Sequence, residues 1–597
     1  MAGGRGTWRR RASWIAAVVA LALAFALVLL PRLRPAARRV EVGRAVATPE
    51  ALATYCKEVV GEPRILRVGD RILVAIGYDL ANTILVRTDA GNVVIDAGMS
   101  PDRARAARAA LLAQAPGAVV ALVYTHSHID HVGGASAWVE PGTAIWSTDA
   151  FVEHFFKQYG VFRRAESRRG AAQFGYHVGD EALPCSALGR RADVDAAART
   201  GVRLPTRTFT GAARFEVGGI AFELHEAHGE THDQLFVWMP QLGALAAGDN
   251  YYEAFPNLYT IRGTSPRPVD AWIESLDHMR RLAPEHLVPS HTRPLDGRER
   301  IAAVLTDYRD GIQWVRDAAV RAANRGEPSD EIAAAAGLPP HLAKVASLAE
   351  LYGQVDWSAR AIYDNNLGWF DGRPEALYPV PPVERARRQV ALMGGVARVM
   401  DEAARARGEH TPSGARWAVE LVATARRSAL ATGDEPARLD RAFVEALSAL
   451  AAGVTNTNGR AYLLESAYRI EHGPSEPPPP VPDDALVDAI PVPLLFTVMA
   501  TRLIPERSLD AHESVRFEID GAPYVITVRR GIAERVAGEP LAGTPPPLAT
   551  VRSDAATWRR LALGSLAPAA ALASGRLHID GDALGFYRFM ERFEKGT

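Results

Sequence analysis

The chain has 597 residues, 48% of them hydrophobic and 23% charged, with 68 Lys and Arg against 69 Asp and Glu. That length suggests about three or four domains, and so ordinary a composition excludes wholesale disorder and fibrous repeats. A formal net charge of −1 argues against a nucleic-acid binder, which carries a marked positive excess.

The charge is unevenly spread. Residues 1–40 hold eight arginines and no acid, and between two arginine groups runs Trp14 to Leu30, seventeen apolar residues without a charge. Such a run is at the lower limit for crossing a bilayer and longer than most signal-peptide cores. No convincing small-x-small cleavage site precedes Pro31, which favours an uncleaved N-terminal transmembrane helix over a removed signal. Equal arginine flanks leave its orientation undecided. The reading is a protein of the bacterial cell envelope, anchored through 1–40, with its bulk on the periplasmic or extracytoplasmic side. Cys56 and Cys185 are too few for a disulfide framework or a cysteine-based metal site. They pair if the protein is exported and are otherwise small buried apolar residues.

From residue 41 to about 325, short apolar runs alternate with helical stretches. Arg71 to Ile76, Thr83 to Val86 and Asn92 to Asp96 read as strands between Asp/Gly/Asn turns. An Ala/Arg-rich helix follows at Pro101 to Ala115, then strands at Ala118 to Tyr124, Phe215 to Leu224 and Leu235 to Met239. This pattern predicts sheets covered by helices. Residues 326–473 read as helical throughout, with helices at Pro382 to Arg407 and Glu435 to Ala452. A proline-rich linker at 474–484 is stiff and extended. The tail, 485–597, reads as a compact α+β unit, with strands at Ser514 to Ile519 and Tyr524 to Val528 and helices near Ser553 to Leu563 and Asp582 to Glu594.

The chemistry concentrates in Thr125-His-Ser-His-Ile-Asp-His-Val-Gly-Gly134, directly after a strand. In extended chain His126 and His128 point the same way, and Asp130 and His131 follow at a bend that Gly133 and Gly134 permit. Four metal-binding side chains in six residues can face two neighbouring ions, and imidazole with carboxylate suits zinc, with manganese or iron as alternatives.

This stretch matches the HxHxDH pattern of the metallo-β-lactamase superfamily. The resemblance implies three later ligand positions: Glu230, where a histidine is usual; Asp249, at the end of an apolar run; and His291, after Leu287-Val-Pro-Ser. Glutamate at the first of these resembles the alkylsulfatase branch. So do Asn257-Leu-Tyr-Thr-Ile-Arg-Gly263, Glu350-Leu-Tyr-Gly353 and Leu367-Gly-Trp-Phe-Asp-Gly372, and the tail is similar to that branch's sterol-carrier-like domain. The implied fold is multidomain: an αβ/βα metallo-β-lactamase sandwich, an all-α dimerisation domain, then the α+β tail. The branch departs from this chain in having glutamate at the position of Asp249 and, usually, histidines at those of Glu253 and Pro256.

The resemblance further implies a dinuclear zinc hydrolase that cleaves alkyl sulfate esters of small amphiphiles. His126, His128 and Glu230 hold one ion, Asp130, His131 and His291 the other, and Asp249 bridges; Asp130 and Asp249 are the catalytic carboxylates. Arg262 offers a forked pair of donors to the sulfate, and Asn257 an amide. His225, His228 and His232 compete with Glu230 for metal, His232 foremost. The expected partners are the sulfate ester and a second copy of the chain, with no nucleic acid. The alternatives are a hydrolase of a lactone, thioester or phosphoester on the same scaffold, or a non-catalytic, metal-containing, lipid-binding envelope protein.

Overall fold

The computed structural model describes residues 41–192, 199–474 and 480–594. Seven strands form the first sheet, in spatial order β1 (Arg64–Val68), β2 (Ile72–Ile76), β3 (Thr83–Thr88), β4 (Gly91–Ile95), β5 (Val119–Val123), β6 (Ala144–Thr148) and β8 (Arg207–Phe209). The short β7 (Arg199–Thr200) stands apart and pairs with β15 (Val481–Pro482), which follows the proline-rich stretch. The second sheet holds β9 (Ala212–Val217), β10 (Ile220–Glu226), β11 (Leu235–Met239), β12 (Ala244–Gly248), β13 (His286–Pro289) and β14 (Leu295–Asp296).

The alternation of side chains along these strands decides the layering. Val74, Ile84, Val86, Val93 and Val123 of the first sheet meet Phe222, Leu224, Val237, Ala246 and Val288 of the second in one apolar layer. The opposite face of the first sheet, through Leu73, Leu85, Val94 and Leu122, packs on Ala104, Ala107 and Leu111 of the helix Pro101–Gln114. That of the second, through Phe236, Leu245 and Leu287, packs on Trp272, Leu276 and Met279 of the helix Val269–Leu282 and on the long helix Arg298–Asn324. This is the αβ/βα sandwich. After it come the helical region, from Ser329–Ala335 to Thr457–His472, and a five-stranded sheet in the tail. The tail's strands are β16 (His512–Ile519), β17 (Ala522–Arg529), β18 (Ile532–Ala537), β19 (Pro547–Ser553) and β20 (Leu577–Gly581), ordered β18-β17-β16-β19-β20.

Two predicted elements are each divided. Phe215 to Leu224, read as one strand, is the β9–β10 hairpin, turned at Gly218 and Gly219 with φ of 51° and 79°. Pro382 to Arg407, read as one helix, is two, Pro382–Leu392 and Val396–Arg407, broken at Gly394 and Gly395. In both, a glycine pair overrides the apolar periodicity.

The expected membrane anchor is corrected. Trp14 to Leu30 lies outside the described residues, and among the described residues no helix is long and apolar enough to cross a membrane. Anchoring through 1–40, and the envelope location inferred from it, are therefore not supported. The cysteines, left open above, form a disulfide between residues 129 positions apart. It joins the helical segment from Pro49 to Val60 to the loop around Cys185.

Candidate metal centre

The parallel strands β4, β5 and β6 and the parallel pair β12–β13 end at the same edge of the sandwich, and the polar residues gather there. β5 delivers Thr125 and His126. The single helical turn Ile129–Val132 then carries Asp130 and His131. It lies so close to the loop after β4 that a Cβ on Gly133 would sit 1.9 Å from the Met99 carbonyl oxygen. Asp249 follows β12, His291 follows β13, and Glu230 sits in the β10–β11 loop.

Two groups of ligand-type atoms form, His126 with His128 and Asp249, and Asp130 with His131 and His291, each group lying within 4.8 Å. Asp249 stands between them. Its Oδ2 is 3.1 Å from His291 Nε2 and 3.9 Å from His126 Nε2, while its Oδ1 is 3.4 Å from His131 Nε2. Glu230 Oε1 is 3.9 Å from His128 Nδ1, beside the first group, and its other oxygen is held by Arg267.

The electrostatics are those of a cation site. Burial works against a charged His131, yet Asp249, Asp130 and Asp96 raise its imidazole well above the ordinary value. Burial works against an ionised Asp249, yet His291, His131 and His126 hold its carboxyl well below the usual range. Burial, reinforced by neighbouring histidines, lowers His126, and burial raises Glu230 against the pull of Arg267. His131 Nε2 and Asp249 Oδ1 are buried without a hydrogen-bond partner. Unpaired polar atoms are rarely buried, and these two face one another across the space that a divalent cation would fill. The donor set therefore fits metal.

Asp96 organises the group from behind, a role absent from the sequence reading. Its carboxylate accepts from His131 Nδ1 at 2.8 Å, Ser290 Oγ at 2.6 Å, Thr125 Oγ1 at 3.0 Å and Thr125 N at 2.9 Å. This fixes the ring so that Nε2 faces inward. The Leu80 carbonyl does the same for His291, at 3.0 Å from Nδ1.

Arg262 reaches this cleft: its Nη2 lies 3.1 Å from His128 Nε2. Asn257 is buried with neither side-chain Oδ1 nor Nδ2 paired, its backbone N–H donating to Tyr252 Oη at 2.7 Å. Arg267 bonds both Glu230 and the Asn257 carbonyl, coupling the metal side to the arginine side. Two of the rival histidines are engaged elsewhere. His232 Nε2 bonds the Pro266 carbonyl at 2.9 Å, and His225 stacks on Phe236. Glu253, at a position of departure, is bound by Arg293 through two hydrogen bonds, and Pro256 lies under Gly353, where a Cβ would come within 2.1 Å of the Pro256 oxygen.

That contact brings the helical region to the site. Phe255 N donates to the Ala349 carbonyl and Gly353 N to the Phe255 carbonyl, and Tyr352 meets Tyr252 edge to face with ring centres 5.9 Å apart. Tyr352 lies near Glu230 and Asp130, where burial and those carboxylates raise its phenol.

A two-sheet sandwich with histidines and carboxylates gathered at one end defines a metal-dependent hydrolase of the metallo-β-lactamase superfamily, and the model for that superfamily matches residues 76–291. Models for alkyl sulfatase dimerisation and for the alkyl sulfatase C-terminal domain match residues 328–473 and 482–597. A linear primary-alkylsulfatase from a Pseudomonas species is 30% identical over 475 residues, 76% of this chain and 88% of that protein. An (R)-specific secondary-alkylsulfatase, also from Pseudomonas, is 28% identical over 87% of this chain and 79% of its own length. The structure of the inverting sec-alkylsulfatase Pisa1 from Pseudomonas shares the fold, with a TM-score of 0.82 at 24% identity over 94% of this chain and 88% of that one. The chain belongs to the alkylsulfatase family.

Proposed function

We propose that this protein hydrolyses alkyl sulfate esters to an alcohol and inorganic sulfate at a two-zinc centre. The observation that carries the reading is the meeting, in one buried cleft, of two groups of metal-type ligands with the guanidinium of Arg262 and the unpaired amide of Asn257.

In this reading His126, His128 and Glu230 hold one ion, Asp130, His131 and His291 the other, and Asp249 lies between. When bound, two zinc ions would supply Lewis-acid charge and would bring the pKa of a bound water down to about 7. The protein's own groups do the rest. Arg262 receives two sulfate oxygens and balances the charge that grows on the departing sulfate, while Asn257 Nδ2 donates a further hydrogen bond. Arg267 holds Glu230 and the Asn257 backbone in one geometry, and Asp96 keeps Nδ1 of His131 occupied so that Nε2 stays free for metal. The units are a catalytic domain at 41–325, a helical dimerisation domain at 326–473, a linker at 474–484 and a C-terminal domain at 485–597.

The test is sulfate release from dodecyl sulfate by the full chain, before and after treatment with a chelator. The expected result is release that the chelator abolishes and zinc restores. No release by folded, metal-loaded protein across chain lengths and branched esters would overturn the reading, and a panel of lactones, thioesters and phosphoesters would then identify the reaction.

A further inference from the structure

The helix Arg163–Phe174 presents Glu166, Arg169 and Gln173 at i, i+3 and i+7, one stripe of its surface, toward the Thr260–Gly263 segment. Gln173, 1% exposed, accepts through its amide oxygen from Arg262 N at 2.8 Å and from Thr260 Oγ1 at 2.9 Å. One turn away Arg169 Nε donates to the Ile261 carbonyl at 2.9 Å. Three consecutive residues, 260 to 262, are thus tied by two side chains of one helix.

The turn that follows the helix is held by the helical domain. Glu465, fully buried, accepts from His177 N at 3.0 Å and from Arg469 Nε at 3.1 Å, and lies 2.8 Å from His177 Nδ1. The other amide atom of Gln173, Nε2, is buried without a hydrogen-bond partner. Only the acceptor end of this side chain is therefore in use, and what it holds is the backbone from which Arg262 springs.

We infer that Gln173 is a positioning residue for the anionic head of the substrate. It anchors the base of the Arg262 side chain, so that a long and otherwise mobile arm reaches over His128, where its Nη2 lies 3.1 Å from the ring. The inference rests on the reading of Arg262 as the sulfate-binding cation. It assigns specificity for a charged ester to a helix outside the metal-ligand motifs. A neutral ester, which needs no cation there, is indifferent to Gln173.

The test uses zinc-loaded full-length protein with Q173M, which keeps the side chain's length and loses its acceptor, and T260V, which removes one of the two bonds. Dodecyl sulfate kinetics and calorimetric binding of inorganic sulfate are measured for each, and again in an R262A background. Q173M is expected to raise KM and the Kd for sulfate by about tenfold or more, with kcat and metal content changing far less. T260V should move both by about threefold, and it carries the test alone if Q173M does not fold. In the R262A background both substitutions should have no further effect. Equal losses in both backgrounds, or a wild-type Kd in Q173M, would overturn the inference. A wild-type protein that neither binds sulfate nor releases it from dodecyl sulfate overturns the functional reading, and the inference with it.

Discussion

At the shared edge of the two sheets, the seven ligand-type side chains, Asp249 among them, are at most 13% exposed. Along residues 367–392 the helical domain instead leaves Leu367, Trp369, Tyr378 and Leu392 between 58% and 93% exposed. The first region buries charge, which is costly unless opposite charge meets it. The second exposes apolar surface, which marks a face that another surface covers. Each therefore identifies its own complement: divalent cations and an anion for the cleft, a second copy of the chain for the dimerisation domain. The two are linked, because Ala349–Gly353 at the start of the helical region lies under the loop that carries Asn257.

Perturbing the cleft should have the largest effect. H131A removes the imidazole at the centre of the carboxylate cluster. It is expected to lower kcat/KM on the order of 10³-fold, a loss of several kcal/mol of charge stabilisation, with metal loss measured by elemental analysis. Next is the disulfide, which fastens the loop whose Leu188 carbonyl accepts from Thr292 N, beside His291. Replacing Cys56 and Cys185 by alanine should cost about 4–5 kcal/mol in denaturant unfolding, the loop being long. D96N leaves every candidate ligand in place but disturbs the bond that orients His131, and metal affinity should fall by about 10–100-fold in a competition titration.

On the apolar face, W369D with L392D should weaken self-association by about 30-fold or more, read by sedimentation, while the metal content per chain stays constant. A fully dimeric double variant would detach the exposed residues from the interface and break the comparison. The smallest effect concerns Glu166, whose carboxyl burial pushes up to about 7 despite Arg262 and Arg169. A raised pKa means the folded state keeps a proton that the unfolded chain releases. Stability should therefore fall as pH rises from the ordinary glutamate value through about 7 and level off above it. E166Q should flatten that slope in pH-dependent melting curves.

The candidate metal cluster was legible where its side chains are close in sequence. His126, His128, Asp130 and His131 lie within six residues on a strand end and one turn, so local geometry alone brings them together. Glu230, Asp249 and His291 were reachable only through resemblance, because nothing local distinguishes them from other strand-end residues. Asp96, Arg267, Tyr352 and Gln173 escaped altogether. Each acts through a contact with a residue distant in sequence, and Gln173 sits in an arginine-rich helix whose periodicity reads as a solvated face. In the fold, the layers followed from apolar alternation, whereas the breaks at Gly218–Gly219 and Gly394–Gly395 were passed over because the apolar pattern continues across them.

The segment under the substrate loop also bears on inheritance. Asn456 Nδ2 donates to the carbonyls of Glu350, Tyr352 and Gly353, and Gly353 in turn lies against Pro256. A chimaera that joined this catalytic domain to a relative's helical domain near residue 326 would exchange the support of its own substrate loop. Such recombinants should remain active only when residues 254–258, 349–353 and 456 come from the same parent. The two domains would then be inherited as one unit, although their family models meet each of them separately.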